Sequence, residues 1–128
     1  MRIVNIEKLK GHKNVVLLGR PLHVEAVARN LVEDYRNNIF YCPSPMDYFE
    51  DYPEIAKEIC ATLDETEERT VITTQNDEFV DTLLHSDIDF MVATVRTTDD
   101  APGTFWLRVM SKDDAIQCRT DFNMELRV

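Results

Sequence analysis

Five residues carry side chains suited to chemistry and stand where a chain can use them: Cys42, Ser44, Thr74, Gln75 and Asn76. Cys42 closes the apolar run IFYC, and Thr74 to Asn76 follow the β-branched run TVITT. Open α/β sheets hold ligands at the carboxyl ends of their strands, so a thiol, two hydroxyls and two amides there can bind a small molecule. A nucleophilic Cys42 needs a base beside it, and the histidines are His12, His23 and His85. The alternative is a buried cysteine acting as a small apolar side chain.

Metal chemistry has little to stand on. Cys42, Cys60 and Cys118 are an odd number without paired spacing, which points to reduced thiols and no zinc centre. Asp99-Asp100 and Asp113-Asp114 lack the spacing of a calcium loop and read as solvated turn acids and helix-start acids. No cofactor is expected.

The elements around these residues follow from periodicity. NVVLL (14–18) is a continuous apolar run ending at Gly19, as in a strand buried on both faces. Val24, Val27, Ala28, Leu31, Val32 and Tyr35 recur at helical spacing and predict a helix over 22–36, broken at Asn37-Asn38. IFYC (39–42) is a second strand, stopped by the prolines of CPSP. Pro53 suits a helix's first turn, with Ile55, Ala56, Ile59, Cys60 and Leu63 as its inward stripe and DETEE (64–68) as a solvated turn. TVITT (70–74) is a third strand, and Asn76 caps a helix running to about His85. DFMVATVR (89–96) and TFWLRVM (104–110) flank TTDDAPG as an antiparallel hairpin. Ser111 with Asp114 resembles a capping box for a short helix over 112–118. Alternation of this kind predicts one compact α/β domain over 1–128, with three parallel strands between 15 and 74, covering helices and a C-terminal hairpin that extends the sheet.

Composition narrows the partners. The chain has 128 residues, 44% of them apolar and 30% charged, with a formal charge of −10. That charge repels phosphate backbones, so no direct nucleic-acid binding is expected; the small basic group Lys8, Lys10, His12 and Lys13 reads as a solvated turn. No apolar run approaches the roughly 18 residues of a membrane span, and MRIVNIEKLK lacks the order of a signal peptide. A cytoplasmic, membrane-free protein is the expectation. Tyr48, Phe49 and Tyr52 in PSPMDYFEDYP, with Trp106 in the hairpin, are the candidate surface for a protein partner or self-association. Core packing is the alternative for each.

From Asn38 onward the segments IFYCPSP, EIAKEICATL, VITTQN, DEFVDTLL and KDDAIQCRTDFNMELR resemble, in order and spacing, the C-terminal half of ABC/AAA-like P-loop ATPases, especially the archaeal and OLD-related ones. VNIEKLKGHKNVVLLG is similar to that family's opening strands leading to the phosphate loop. The resemblance implies a P-loop-NTPase-like fold, and the expected chemistry is missing from each position it assigns. Counting from Gly19, the second glycine falls at Val24, the lysine at Glu25 and the hydroxyl at Ala26. The magnesium-linked acid falls at Cys42, the catalytic glutamate at Pro43 and the γ-phosphate-sensing histidine at Gln75. None of these replacements neutralises phosphate, holds a hard cation or polarises water. The expected function is therefore a non-catalytic, pseudo-ATPase-like module for protein interaction or regulation, including regulation of an intact ATPase. The alternative is a small enzyme or metabolite-binding protein using the strand edge around Cys42 and Gln75.

Overall fold

The apolar run NVVLL forms the centre of the fold. In a computed structural model, which describes residues 2–32, 39–41, 52–65, 69–74 and 77–117, it is β2 (Asn14–Leu18), and Val15 to Leu18 are fully buried. Such a run has no polar face to offer water, so both of its sides must be covered.

The described elements also include β1 (Arg2–Val4), α1 (Pro21–Leu31), β3 (Ile39–Tyr41), α2 (Tyr52–Glu65), β4 (Thr70–Thr74), α3 (Asp77–Leu84), β5 (Met91–Arg96), β6 (Thr104–Ser111) and α4 (Lys112–Gln117). The strands form one mixed sheet in the order β1-β6-β5-β2-β4-β3. β2 pairs in parallel with β4 and β5, β3 pairs in parallel with β4, and β1 in parallel with β6. The hairpin β5–β6 supplies the antiparallel pair, so β6 and β1 run against the other four strands. The parallel block expected from the sequence thus gains β5, and the hairpin extends the sheet as anticipated. β1 with its following 3-10 turn (Ile6–Lys8) adds an edge strand beyond it.

Two cores lie on the two faces. Val16, Leu18, Ile72, Val92 and Met110 pack with Ile59 and Leu63 of α2, Phe79, Val80, Leu83 and Leu84 of α3, and Ala115 of α4. Val15, Leu17, Val71, Ala93, Val95 and Leu107 pack with Leu9 and with Val24, Val27, Ala28 and Leu31 of α1. Each fully buried Val, Leu, Ile or Phe side chain contributes about 1.5–3 kcal/mol. α1 leads away from β2 on one face, and α3 leads away from β4 on the other.

Several boundaries differ from the sequence reading. The helix predicted to reach residue 36 ends at Leu31, because Val32 is extended (φ −128°, ψ 138°). Arg69 meets that end: its guanidinium donates to the Leu31 carbonyl at 3.3 Å and to that of Lys10, satisfying a terminal carbonyl the helix leaves over. α2 continues through Glu65, two residues into the segment read as a solvated turn. The Ser111 cap is present, with the Asp114 N–H donating to Ser111 Oγ at 3.2 Å.

Candidate functional site

The corner at the carboxyl ends of β2 and β4 is where the fold would place a ligand. These strands are neighbours, and their following helices depart to opposite faces of the sheet, the arrangement that opens a crevice in α/β folds. On its β2 side this corner is tightly packed. The ladder runs to Leu18 opposite Thr74, and the Gly19 N–H then donates to the Thr74 carbonyl at 3.0 Å. β2 and α1 are joined by Gly19 and Arg20 alone, and Pro21 starts the helix at once. A Cβ at Gly19 would stand 3.0 Å from the Val95 carbonyl oxygen and 3.3 Å from Val24 Cγ1. The end of β5 and the second helical residue row of α1 therefore fill the space beside this glycine.

The residues at the phosphate-loop positions already belong to α1. Val24 is buried against Gly19, and Glu25 is turned along the helix to an ion pair with Arg29 at 2.7 Å. Arg20 is exposed and holds the N-cap position without a side-chain cap bond. Its carbonyl accepts from the N–H groups of His23 and Val24 at 3.0 Å each. Leu22, 79% exposed, sits beside it.

Of the residues singled out by sequence, Thr74 is described and is 1% exposed, so its hydroxyl is part of the interior. Cys42, Ser44, Gln75, Asn76, Tyr48 and Phe49 lie outside the described residues, as do Pro43 and Cys118. Tyr52 is the first residue of α2. β3 and β4 are neighbours in register, Tyr41 opposite Thr73, which puts Ile39–Tyr41 and Thr70–Thr74 on adjacent strands. His23 packs edge-on against Phe105 at 5.5 Å between ring centroids. His85 closes α3 with its ring Nδ1 2.7 Å from the Asp81 carbonyl oxygen, and His12 precedes β2; both are at the opposite end of the parallel strands from Tyr41.

That opposite end carries a cleft of about 610 Å³, bounded by His12, Lys13, Asn14, Asp87, Asp89 and Ser111 among others. Its walls are largely tied to the backbone: Lys13 Nζ donates to the Leu63 carbonyl at 3.1 Å, and Asn14 Nδ2 to that of Asp89 at 3.3 Å. Asn14 Oδ1 is buried and has no hydrogen-bond partner among the described residues.

Trp106 lies on neither core. It is 42% exposed on β6, directly opposite Arg96 of β5 and opposite Val4 of β1. Arg108 follows two residues along on the same face, and a cleft of about 320 Å³ is lined by Arg96, Thr98, Trp106, Leu107 and Arg108. Arg96 and Arg108 were not singled out by sequence. The signal for Arg108 was available, since alternation along TFWLRVM places it on the tryptophan's side, whereas Arg96 joins them only through the hairpin register.

Among the described residues, no group of three or more His, Cys, Asp or Glu side chains could hold a metal ion. No helix among them is long and apolar enough to cross a membrane. No family model, curated protein or solved structure matches this chain.

Proposed function

We propose that this domain is a non-catalytic module for protein interaction or regulation, built on a scaffold that resembles a P-loop ATPase without its chemistry. The observation that carries the reading is the Gly19–Arg20 connection. A phosphate-cradling loop needs several residues between strand and helix so that successive backbone amides can face the phosphates. Here two residues span that gap, and Val95 and Val24 occupy the space beside the glycine. Position 25, where the phosphate loop would carry its lysine, holds an acid paired with Arg29 at 2.7 Å. A solvent-exposed tryptophan flanked by arginines supplies the surface such a module would use, since Trp and Arg dominate the energetic centres of protein interfaces.

Thermal unfolding with increasing Mg-ATP and Mg-GTP tests the reading. A nucleotide bound only by the folded state raises stability by about 2.7 kcal/mol at a hundredfold excess over Kd. The expected result is no saturable shift. A saturable shift that disappears in Arg20→Ala or Gln75→Ala would overturn it.

A metabolite site at the adjoining edge of β3 and β4 is favoured by one observation, that these strands are neighbours. An anion or metabolite that protects the Cys42 thiol from alkylation at saturating concentration would support that second reading.

A further inference from the structure

We propose that the Trp106 face joins two copies of this chain about a twofold axis, each copy laying its acidic hairpin tip over the arginine-flanked tryptophan of the other. The proposal rests on the interaction-module reading and names the partner as the chain itself.

The strand registers define the face. Val92, Thr94 and Arg96 of β5 stand opposite Met110, Arg108 and Trp106 of β6, and Val4 and Arg2 of β1 stand opposite Trp106 and Thr104. Val92 and Met110 are buried beneath the helices of that side, whereas Arg96, Trp106, Arg108 and Arg2 are exposed. Among the described residues, the exposed rows of these three strands carry one tryptophan, no acid and three arginines, of which Arg108 already makes an interaction within the chain, against a formal charge of −10. Basic groups placed together against so negative a total set up a local field of opposite sign to the rest of the surface.

The complement lies at the end of the same hairpin. Asp99 and Asp100 are exposed at the centre of a turn in which the Ala101 N–H donates to the Thr98 carbonyl at 3.4 Å. A second turn follows directly: the Thr104 N–H donates to the Ala101 carbonyl at 3.1 Å, across Pro102 and a Gly103 at φ +83°. Proline then a positive-φ glycine is the signature of a type II turn, a stiff form of loop. The Arg2 N–H donates to the Gly103 carbonyl at 3.1 Å and ties the hairpin to β1. The two aspartates are thus held at a fixed position beside the arginine face.

A surface that carries a patch and its complement side by side fits a second copy of itself, because a twofold axis brings each tip to the other's patch. Arginine paired with carboxylate and stacked on tryptophan, around an apolar centre, is the chemistry of such contacts. Nucleic acid fits less well, since the remaining surface repels phosphate, and an acidic peptide would need a partner that the twofold arrangement already supplies.

Trp106 is the sole tryptophan, so its fluorescence reads the contact directly. The full chain is followed by sedimentation equilibrium and by acrylamide quenching from about 1 µM to about 1 mM, the range of weak to moderate association. Dimer is expected to form as the Trp106 emission shifts to the blue and quenching falls. Trp106→Ala should raise the dimer Kd at least about tenfold. The pair Asp99→Lys/Asp100→Lys and the pair Arg2→Glu/Arg96→Glu should each abolish self-dimers. Their equimolar mixture should restore a dimer, seen as the mixed mass in native mass spectrometry, and this also excludes misfolding as the cause. Four results overturn the proposal: monomer throughout with an exposed tryptophan, or a dimer indifferent to these substitutions. The third is a monomer whose Trp106 is shielded at every concentration, meaning that its own chain covers it; the fourth is oligo-dT binding at that face in place of dimer. Any of these leaves the nucleotide titration as the separate judge of the non-catalytic reading.

Discussion

Gly19 and Thr74 meet through one backbone hydrogen bond, the glycine N–H donating to the threonine carbonyl at 3.0 Å. That bond continues the β2–β4 ladder past Leu18 into the connection that would have to open around a phosphate. Gly19 has no positive φ, so its lack of a side chain serves the close approach of Val95 and Val24.

The three glycines should separate by cause when each is changed to alanine. Gly19→Ala places a Cβ 3.0 Å from a backbone oxygen and should cost about 1–3 kcal/mol through overpacking. Gly103→Ala meets no atom within 4 Å yet stands at φ +83°, so conformational strain alone should cost about 1–2 kcal/mol. Gly11→Ala is open and unstrained and should fall within about 0.5 kcal/mol of the parent or gain stability. Urea midpoints at constant m-value measure all three, and an unchanged Gly19→Ala would remove the account of tight packing beside Gly19.

Two apolar helix residues should behave in opposite ways. Phe79 of α3 is fully buried within the core under β2 and β4, and Phe79→Ala should cost about 3–5 kcal/mol. Leu22 of α1 is 79% exposed, and Leu22→Ala should change stability by less than about 0.5 kcal/mol. Chemical denaturation of the two variants side by side decides this, and a large loss at Leu22 would mean that the helix start packs against something.

Lys112 should stabilise one turn rather than the whole sheet. Its ammonium donates to the carbonyl oxygens of Ser86 and Ile88, the latter at 2.8 Å, and lies 5.4 Å from the Phe90 ring centroid. Lys112→Met keeps the apolar stem and leaves those carbonyls short of a donor, at an expected cost of about 1–3 kcal/mol. Hydrogen exchange should quicken first at residues 86–90. Uniform quickening across β2 and β4 would contradict a local role.

Much of the architecture was legible because it is written in local patterns. β2, β4 and both hairpin strands stand out as apolar or alternating runs, the helices carry their spacing within a few residues of themselves, and α4 also carries its Ser111 cap. The early end of α1 was not legible, since the apolar spacing runs on past Leu31 while Val32 is extended, and the Arg69 bond that meets the Leu31 carbonyl exists only in the folded chain. β1 has no signal of its own, since three residues carry no period and its pairing with β6 is tertiary; only the family resemblance of VNIEKLKGHKNVVLLG pointed to opening strands. At the candidate site, Val24, Glu25 and Ala26 were readable as wrong for a phosphate loop. The contact between Gly19 and Val95 was not readable, because nothing in VVLLG names the strand that closes over it.

The central place of β2 also sets the order in which the chain can complete itself. Val16 pairs with Ile72 on one side and Val92 on the other, both far along the chain, whereas Val95 and Leu107 meet across a short hairpin. Long loops cost entropy before distant contacts repay it, so the hairpin can form locally while β2 cannot. During synthesis the most apolar strand thus emerges early and waits, both edges unpaired, until most of the chain has followed. The interval before β4 and β5 arrive is when this protein is most exposed to aggregation.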